Sequence, residues 1–548
     1  MSRIRSTSSA VESTYVTGDS FVFRTPRLPF EAYLALSEGL ATPNAATRAS
    51  LAADRATVRA RLRELADRPE VRAALFVASP SLDESLEHWR RDPDSDRGQK
   101  AELTLLRYVA RMCGRATPFG LFSGCATGAI ARDTKLEVGL AKDARRHSRL
   151  DTDYLFALCE ALGRDPDVRA SLTYRPNSSL YRAGGRVRYA AAKLEGNARR
   201  YELVALEPTT YLDAILARAS RGGRVEDFVA LLCEMDGEIS RAEAIDFVAE
   251  LIDAQVLVSE LAPAVTGLEP TRELVDRLGA IEATRAAAER LDQVDEALHA
   301  LDREGPSAPP ERYRQLARQL ESHPAKAELA RLFQVDVYTH ATEATLGGAP
   351  LREIARAVEL LHRIMPYEDP LADVTRAFAD RYGGEEVPLL VALDEEIGLG
   401  FATSTAPAAS AEPLLAGLPF PIGGVVHKVG LREQHLRRLL DEALRTGAQS
   451  IALTDADIDA LAVEDRPPLA DAVSVTATIA ARSPAAIARG EFSVLIGGVA
   501  GPSGVNLLGR FCHGDAGVRA QVEAPHRAEE ERTPHPKVAE VVHHPEGR

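Results

Sequence analysis

The spacing of apolar residues divides the chain into segments with helical and strand-like periodicity. Residues 44–78 and 98–113 are rich in Ala, Leu and Arg and place apolar side chains at helical spacing, which predicts amphipathic helices. The segment 21–30 alternates and contains prolines, so it predicts an extended strand that leads into a helix near residues 30–40. Helical and strand-like patterns in one chain indicate an α+β protein.

A change of period marks residues 175–260. Gly184 and Gly185 separate two alternating runs, which predicts a β-hairpin, and a further strand follows at 200–206. Three short helical patterns and a closing apolar run come next, at about 210–219, 224–235, 240–253 and 254–258. Strands, three short helices and a final strand are typical of a winged helix-turn-helix module, and we predict one here.

The third helix of this module is unsuited to DNA. Its charged residues are one base and four acids: Arg241, Glu243, Asp246, Glu250 and Asp253. A helix that reads the major groove is normally basic. An exposed edge of the small sheet could instead bind an extended peptide as an additional strand, and the sequence favours this use.

The rest of the chain alternates between helices and strands. Long charged helical patterns cover residues 271–333, interrupted at 305–310. Beyond them we predict strands at 334–338, 387–393, 472–480 and 492–498, helices at 351–365 and 431–446, and an Ala/Ser/Pro linker at 405–413. The expected fold is therefore multi-lobed, with mixed sheets and helices, in three parts: 1–160, 175–260 and 262–548.

Composition narrows the class of protein. The 548 residues are 45% hydrophobic and 27% charged, which is ordinary for a globular protein of several domains. No run approaches the roughly 18 apolar residues of a membrane helix, and the N-terminus lacks the apolar part of a secretory signal. The five cysteines form no C-x-x-C pair and the histidines no H-E-x-x-H motif. We therefore expect a cytoplasmic protein with reduced thiols, no membrane span and no metal site.

Charge is distributed unevenly along the chain. The formal net charge of −15 argues against a general nucleic-acid binder. Residues 101–200 nevertheless carry 18 basic and 10 acidic side chains, whereas residues 201–548 carry 33 and 57. The basic segment predicts either a solvated Arg-rich surface or a local phosphate-binding face.

The basic segment contains an unusual stretch, Arg107-Tyr-Val-Ala-Arg111-Met-Cys-Gly-Arg115-Ala-Thr117-Pro-Phe-Gly-Leu-Phe-Ser-Gly124. A helix running through all three arginines would place them on one face, where like charges repel unless an anion or nearby carboxylates compensate them. Pro118 favours an extended backbone at Thr117, which could present the hydroxyl to a ligand. The chain has no Walker A, dinucleotide-binding or nucleophile-elbow motif.

This stretch resembles the signature of the lantibiotic dehydratase N-terminal, or glutamylation, region. Further segments resemble the same family in the same order: Phe23-Arg-Thr-Pro-Arg-Leu-Pro29, Arg149-Leu-Asp151, Val335-Asp336-Val-Tyr338, Arg381-Tyr-Gly-Gly-Glu-Glu-Val-Pro-Leu-Leu390, Leu393-Asp-Glu-Glu-Ile-Gly-Leu-Gly400, Asn506-Leu-Leu-Gly-Arg510-Phe511 and Glu540-Val-Val-His-His-Pro-Glu-Gly-Arg548. The resemblance covers nearly the whole chain.

The resemblance implies an enzyme that transfers glutamate from glutamyl-tRNA to Ser and Thr hydroxyls of a ribosomally made precursor peptide. This is the first step of dehydration in lanthipeptide or thiopeptide biosynthesis, and a separate elimination region would then expel the glutamate. Because an aminoacyl ester is already activated, such a site needs positioning and charge stabilisation, which arginines can supply to phosphates and to the glutamyl carboxylate. Glutamyl-tRNA is then a co-substrate, and no bound cofactor is implied.

The family's functional positions can be carried over to this chain. The catalytic set would be Arg111, Arg115, Thr117, Asp151, Asp336 and Arg510, and the tRNA-binding set Arg107, Arg111, Arg115 and Arg149. The arginines would bind tRNA and glutamate. The aspartates would orient them or handle the hydroxyl proton, unless each is only a buried partner of an arginine. Residues 175–260 match the family's leader-peptide recognition element.

Two other functions fit the same sequence. One is a peptide aminoacyl-tRNA ligase, a relative that adds an amino acid to a peptide C-terminus through an amide, and the other is a non-catalytic scaffold that binds leader peptides. The sequence stops within a family segment that normally continues, and it has no elimination region, so we expect a partial chain. The expected partners are the precursor peptide, glutamyl-tRNA and an elimination protein or cyclase, and a homodimer is compatible with the resemblance.

Overall fold

A computed structural model describes residues 15–41, 47–139, 143–195, 198–261, 263, 267, 269–366, 369, 371–394, 397–400, 430–464, 466, 468–501, 503–505 and 508–532. The predicted linker at 405–413 and the family segment at 540–548 lie outside these residues, as does Asn506.

The elements of the described residues follow in chain order. The strands are β1 (Ser20–Pro26), β2 (Ser123–Ile130), β3 (Lys135–Val138), β4 (Arg145–Leu150), β5 (Tyr174–Pro176), β6 (Tyr181–Ala183), β7 (Arg186–Glu195), β8 (Ala198–Leu206), β9 (Leu257–Ser259), β10 (Phe333–Tyr338), β11 (Ala341–Leu346), β12 (Ser474–Ala481) and β13 (Phe492–Ala500). The helices are α1 (Phe30–Ser37), α2 (Arg48–Asp67), α3 (Pro69–Ala78), α4 (Pro80–Arg91), α5 (Asp96–Gly114), α6 (Thr152–Gly163), α7 (Pro166–Ser171), α8 (Thr210–Ala219), α9 (Val225–Met235), α10 (Arg241–Asp253), α11 (Pro270–Gly279), α12 (Arg285–Arg303), α13 (Pro310–Leu320), α14 (Gly348–Ile364), α15 (Ala372–Tyr382), α16 (Leu389–Ala392), α17 (Leu431–Thr446), α18 (Asp455–Leu461), α19 (Pro484–Ala488) and α20 (Ala516–Arg532).

A six-stranded mixed sheet joins the N-terminal part of the chain to residues 333–346. Its hydrogen-bonded order is β3-β11-β2-β10-β4, and β1 also pairs with β2. β1 is antiparallel to β2 and β10 is antiparallel to β4, whereas β10 and β11 run parallel to β2. Residues opposite each other on two paired strands point to the same face of a sheet. The register of these pairs therefore determines which polar side chains can meet.

The helices bury one large hydrophobic core, and a smaller cluster lies beside it. Trp89, Phe76 and Phe122 are among the largest fully buried side chains of the large core, and each such burial stabilises the fold by about 1.5–3 kcal/mol. The smaller cluster consists of Cys125, Tyr338, Phe511 and Val518. All five cysteines are free thiols. In the part of the chain that the structure describes, no helix is both long and apolar enough to cross a membrane.

Residues 174–259 have the order of elements that the sequence predicts. β6, β7 and β8 form an antiparallel sheet, and Gly184 and Gly185 make the first turn with φ values of +57° and +74°, which favour glycine. α8, α9 and α10 follow within a residue of their predicted bounds, and β9 pairs with β5. The hairpin and the three helices are thus confirmed. The assignment as a winged helix-turn-helix stays a prediction.

Elsewhere most predicted elements are present, and one is wrong. The strands predicted at 334–338, 472–480 and 492–498 correspond to β10, β12 and β13. Residues 387–393 instead contain α16, in which the Pro388 carbonyl accepts hydrogen bonds from the backbone N–H groups of Val391 and Ala392 at 2.9 and 3.0 Å. Short apolar runs do not distinguish strand from helix by periodicity, and the proline here begins a helix.

The turn that follows α16 forms a buried polar contact with the 174–259 module. Asp394 in this turn lies 3.3 Å from a guanidinium nitrogen of Arg188 on β7, and the Tyr181 hydroxyl donates to the same carboxylate oxygen at 2.6 Å. The side chains of Arg188 and Asp394 are only 4% and 0% exposed. Removing either charge would break a buried ion pair, which is generally destabilising.

We predict that Asp394→Ala destabilises the attachment of β7 by about 3–5 kcal/mol, the usual cost of removing one member of a buried ion pair. Amide hydrogen exchange in β7 measures this change. Asp373→Ala is a matched control, because Asp373 and Arg376 form an ion pair that is 93% and 70% exposed, and such pairs contribute about 0–1 kcal/mol. Replacing both buried partners, Asp394→Leu with Arg188→Met, should recover much of the loss. Unchanged β7 exchange in Asp394→Ala would contradict the prediction.

Candidate active site

Helix α5 presents the first two of the predicted arginines. Leu105, Val109 and Met112 are fully buried and form one side of the helix. At 100° per residue, Arg107 and Arg111 fall on the opposite side. Arg107 is exposed and Arg111 is half-buried.

The N-terminal half of α5 is fixed by capping and by a half-buried carboxylate. Ser95 accepts a hydrogen bond from the Gly98 N–H at 3.1 Å and caps the helix. Glu102 accepts hydrogen bonds from the Trp89 indole at 3.0 Å and from the Arg59 guanidinium at 2.5 Å. Burial opposes the charged form of Glu102, but these donors outweigh it and lower the pKa of the carboxyl. These contacts therefore fix the N-terminal half of the helix, while the arginines lie toward its C-terminal end.

The helix ends earlier than a continuous arginine row requires. Gly114 is its last residue, and Arg115 has an extended backbone with φ −119° and ψ 120°. The condition under which three arginines would share one helical face is therefore not met, since Arg115 lies beyond the helix, and this end agrees with the helix predicted at 98–113. Glycine followed within four residues by Pro118 ends the helix here. Arg115 and Thr117 are both exposed.

The arginines of this segment differ from most arginines of the chain in their partners. Within the described residues, none of Arg107, Arg111 and Arg115 forms an ion pair with a carboxylate. The Arg111 guanidinium carbon lies 4.4 Å from the centre of the Phe119 ring, and its Nε is buried without a hydrogen-bond partner. Among the described residues, the alternative that carboxylates elsewhere in this acidic chain neutralise the row is therefore not realised.

The remainder of the motif has a packing role. Phe122 is fully buried and contacts Tyr108 and Phe119, with ring centres 5.2 and 5.4 Å apart. A Cβ at Gly124 would collide with the Thr339 hydroxyl and the Val337 side chain. Glycine is therefore required where β2 approaches β10. The motif thus combines an exposed basic end with a buried anchor.

Asp336 and Arg510, two of the predicted site residues, come together although 174 residues separate them. Arg510 donates to one Asp336 carboxylate oxygen from Nε at 3.0 Å and from Nη2 at 2.7 Å. The Asp336 side chain is 2% exposed and that of Arg510 is 35% exposed. Asp336 thus occupies the alternative role considered above, a buried partner of an arginine, while the guanidinium remains accessible from solvent.

The small hydrophobic cluster holds Arg510 over the sheet. Its neighbour Phe511 packs against Cys125 and Tyr338, and the Tyr338 hydroxyl donates to the Phe511 carbonyl at 2.9 Å. Burial, and then the charge of Asp336, raise the pKa of Tyr338 and bring that of the Cys125 thiol to about 12. Both groups are therefore neutral at physiological pH. They serve packing and do not supply an ionised nucleophile.

Arg149 lies on the same face of the sheet as Asp336. In the β4–β10 ladder, Asp336 is opposite His147 and Gln334 is opposite Arg149. The Arg149 Nε donates to the Gln334 side-chain oxygen at 3.1 Å. The structure thus places Arg149, Asp336 and Arg510 in one environment, as a shared site requires.

His147 is a part of this face that the sequence did not identify. Its Nε2 lies 3.3 Å from one carboxylate oxygen of Glu269, which is also 3.9 Å from the His513 Nδ1. The sequence could have identified this polar face, because Arg145, His147 and Arg149 alternate along the chain and alternate residues of a β-strand point to the same face. Glu269 and His513 come from distant segments, so no local sequence pattern predicts that they lie beside His147.

Asp151 follows β4 directly and caps the next helix. Its carboxylate accepts a hydrogen bond from the Asp153 N–H at 3.1 Å, and its own N–H donates to the Leu332 carbonyl at 2.8 Å. Within the described residues, no hydrogen bond or ion pair joins Arg111 or Arg115 to Asp336 or Arg510. The predicted residues therefore form two groups, one at the end of α5 and one on the β4–β10 face.

Comparison with known proteins identifies the family. A family model described as "Lantibiotic dehydratase, N terminus" matches residues 67–548. The chain belongs to this family. It is similar to the subtilin biosynthesis protein SpaB of Bacillus subtilis, with 25% identity over 360 residues, 63% of this chain and 34% of that protein. The epidermin biosynthesis protein EpiB of Staphylococcus epidermidis is 22% identical over 190 residues, 35% of this chain and 19% of that protein.

Two solved structures share the fold of this lantibiotic dehydratase family member. The tRNA-dependent lantibiotic dehydratase MibB from Microbispora sp. 107891 superposes with a TM-score of 0.70 at 24% identity, over 95% of this chain and 47% of that one. The glutamylation domain TbtB from thiomuracin biosynthesis gives a TM-score of 0.53 at 16% identity, over 96% and 73%. The chain thus spans about a third of SpaB and half of MibB.

We predict that Gly514→Ala disturbs the segment that carries Arg510, because a Cβ at this position would lie 2.5 Å from the Tyr338 ring and hydroxyl. Overpacking of this kind typically costs about 1–3 kcal/mol. Hydrogen–deuterium exchange of residues 508–520 should increase. Gly509→Ala is the control in the same segment, since a Cβ there meets no atom within 4 Å. Equal exchange in both variants would refute the prediction.

Proposed function

We propose that this chain transfers glutamate from glutamyl-tRNA to Ser and Thr hydroxyls of a ribosomally made precursor peptide, as the first step of their dehydration. The proposed reaction takes place in the cytoplasm, where aminoacyl-tRNA is present. Membership of the lantibiotic dehydratase family supports the reaction class. The observation that carries the proposal is the group of arginines at the end of α5, which has no carboxylate partner in the part of the chain that the structure describes.

The arginine group suits the acceptor end of a tRNA. The arginines lie close together in the sequence and repel each other, and a phosphate-bearing ligand bound among them would relieve this repulsion. Arg111 also lies on the Phe119 ring, which fixes the plane of its guanidinium. A fixed guanidinium can bind a phosphate or a carboxylate bidentately. We assign Arg107, Arg111 and Arg115 to tRNA, with Thr117 beside them.

The β4–β10 face suits the aminoacyl group. Arg510 is oriented by Asp336 and remains 35% exposed, and Arg149 is oriented by Gln334. Two oriented guanidiniums can bind the glutamyl carboxylate and stabilise the negative charge that develops on the ester carbonyl. Asp151, at the end of the same strand, is assigned to this site through the family resemblance.

Residues 175–260 are assigned to the leader region of the precursor peptide. Within the described residues β8 pairs with β7 alone, so its other edge is open. Tyr201 and Leu203 on β8 are 54% and 53% exposed, which is unusual for large apolar residues on an edge strand. A peptide that binds as an additional strand would cover these side chains and form hydrogen bonds with the backbone groups at the open edge of β8. The only basic residue of α10, Arg241, is already paired with Glu226, which further disfavours nucleic acid at this module.

The decisive assay is mass spectrometry of the cognate precursor peptide after incubation with this chain, tRNA, glutamyl-tRNA synthetase, glutamate and ATP. Base-labile additions of one glutamyl unit on Ser or Thr would establish the transfer. A base-stable addition at the peptide C-terminus would instead indicate an amide-forming ligase. Leader binding without any addition would favour a non-catalytic scaffold. An elimination protein or cyclase would act on the glutamylated product.

Replacing Arg111 and Arg115 together by Ala should abolish detectable transfer and weaken tRNA binding. We expect the log–log slope of tRNA affinity against salt concentration to decrease by about one unit for each phosphate that the variant no longer binds. Arg318→Ala with Arg352→Ala is the matched double variant, because both arginines are exposed and neither has a carboxylate partner among the described residues. Equal tRNA affinity and transfer in the two double variants would disprove the assignment.

Leu203→Asp should weaken leader-peptide binding by about tenfold, which corresponds to roughly 1.4 kcal/mol, because the added strand would cover a charge. Fluorescence anisotropy of a labelled leader peptide measures the affinity. Leu431→Asp on α17 is the control, since Leu431 is 85% exposed and lies outside the module. If Leu203→Asp binds the leader as tightly as the control does, the peptide does not use this edge of β8.

A further inference from the structure

A histidine held by a carboxylate faces the proposed reaction site. His147 lies directly opposite Asp336 in the β4–β10 ladder, so both side chains project from the same face of the sheet. Cβ atoms of such pairs are about 4.5–5.5 Å apart. His147 is therefore an immediate neighbour of the carboxylate that orients Arg510.

The hydrogen bond to Glu269 fixes the tautomer of His147. Burial opposes the charged form of Glu269, but the His147 hydrogen bond and the charge of Arg149 outweigh it and lower the pKa of the carboxyl. An ionised carboxylate only accepts hydrogen bonds, so the Nε2 of His147 is the donor across the 3.3 Å separation. The proton of a neutral imidazole is then on Nε2. Nδ1 keeps its lone pair and makes no hydrogen bond with any described residue.

The charged groups around His147 come from four directions. Glu269 precedes α11, Asp302 lies on α12, Asp336 is across the ladder and Arg149 is on the same strand. His513, from the segment after Arg510, shares the Glu269 oxygen. Burial opposes the charged imidazolium, but Glu269 and Asp302 outweigh burial and Arg149, and they raise the pKa of His147. In contrast, burial lowers the pKa of His513.

We propose that the Nδ1 of His147 accepts the proton of the Ser or Thr hydroxyl that attacks the glutamyl ester, and that Glu269 is the positioning residue that orients the ring. The inference rests on the proposed glutamyl transfer and adds the group that moves the proton. A carboxylate that orients an imidazole through its other nitrogen is a physically efficient arrangement for general base catalysis.

The step balances without an additional reactant. The hydroxyl oxygen forms a bond to the glutamyl carbonyl carbon while its proton moves to Nδ1 of His147. The bond between that carbon and the terminal ribose oxygen of the tRNA then breaks, and the ribose oxygen takes the proton from Nδ1. One ester replaces another, and the imidazole returns to its neutral form.

Other groups on the face fit this role less well. One Asp336 oxygen already accepts two hydrogen bonds from Arg510, so the lone pairs of this oxygen are occupied. Tyr338 and Cys125 are held neutral by burial. A metal site does not explain the histidines, since the described residues contain no group of three or more His, Cys, Asp or Glu placed to hold an ion.

The test measures single-turnover glutamyl transfer from preformed glutamyl-tRNA to the precursor peptide between about pH 5.5 and 8. In the wild-type protein the rate should rise with pH along a limb that reports deprotonation of His147, with a midpoint above the ordinary histidine pKa of about 6.5. His147→Gln should lower the rate constant by about 10²–10⁴-fold, remove this limb and leave tRNA and leader affinity within about threefold. Glu269→Gln should move the limb to lower pH, because the charge that raises the pKa of His147 is gone.

His299→Gln is the control, because His299 is half-exposed on α12 and, among the described residues, pairs with Asp295 alone. A wild-type limb that persists in His147→Gln, or a limb that does not move in Glu269→Gln, overturns the inference while the glutamyl transfer itself stands. Absence of transfer by the wild-type protein overturns the proposed function and this inference together. If His147→Gln fails to bind the leader and is therefore misfolded, the direction of the shift in Glu269→Gln decides.

Discussion

The antiparallel register of β4 and β10 is the constraint on which the candidate site depends. Asp336 faces the same side as its cross-strand partner His147. The intervening residues of β4 face the other side, where Asp302 accepts hydrogen bonds from the Arg146 side chain at 3.0 Å and the Ser148 N–H at 2.8 Å. A slip of one residue would exchange the two faces and bury the wrong charges. The hydrogen bonds of Asp302 on one face therefore stabilise the register that places His147 and Asp336 together on the other face.

A second consequence of this register is that a late segment of the chain can complete the site. Arg510 reaches Asp336 because Phe511 is buried in the small cluster and Tyr338, also on β10, binds its carbonyl. A buried carboxylate without a cation would be costly, so the ion pair and the apolar anchor depend on each other. The same strand thus supplies the carboxylate and the packing that brings its partner.

Local features were predictable from the sequence and long-range ones were not. The hairpin at Gly184 and the helices of the module follow from periodicity and turn chemistry, which act over a few residues. The error at residues 387–393 arose because a short apolar run has no decisive period. The resemblance placed Asp336 and Arg510 in one site, but only the fold reveals that they contact each other. Glu269 was missed because its role depends on His147, more than a hundred residues away.

The two groups of arginines differ in how firmly they are held, and this difference fits the two parts of the proposed substrate. Arg510 and Arg149 are oriented by Asp336 and Gln334, so little side-chain entropy remains to be lost when a small carboxylate binds. Arg107 and Arg115 are exposed and have no carboxylate partner among the described residues, which permits adjustment along a polyanionic backbone. Fixed groups favour the geometry of one reaction, and mobile groups favour affinity for an extended ligand. A glutamyl-tRNA requires both, one at each end of the same bound molecule.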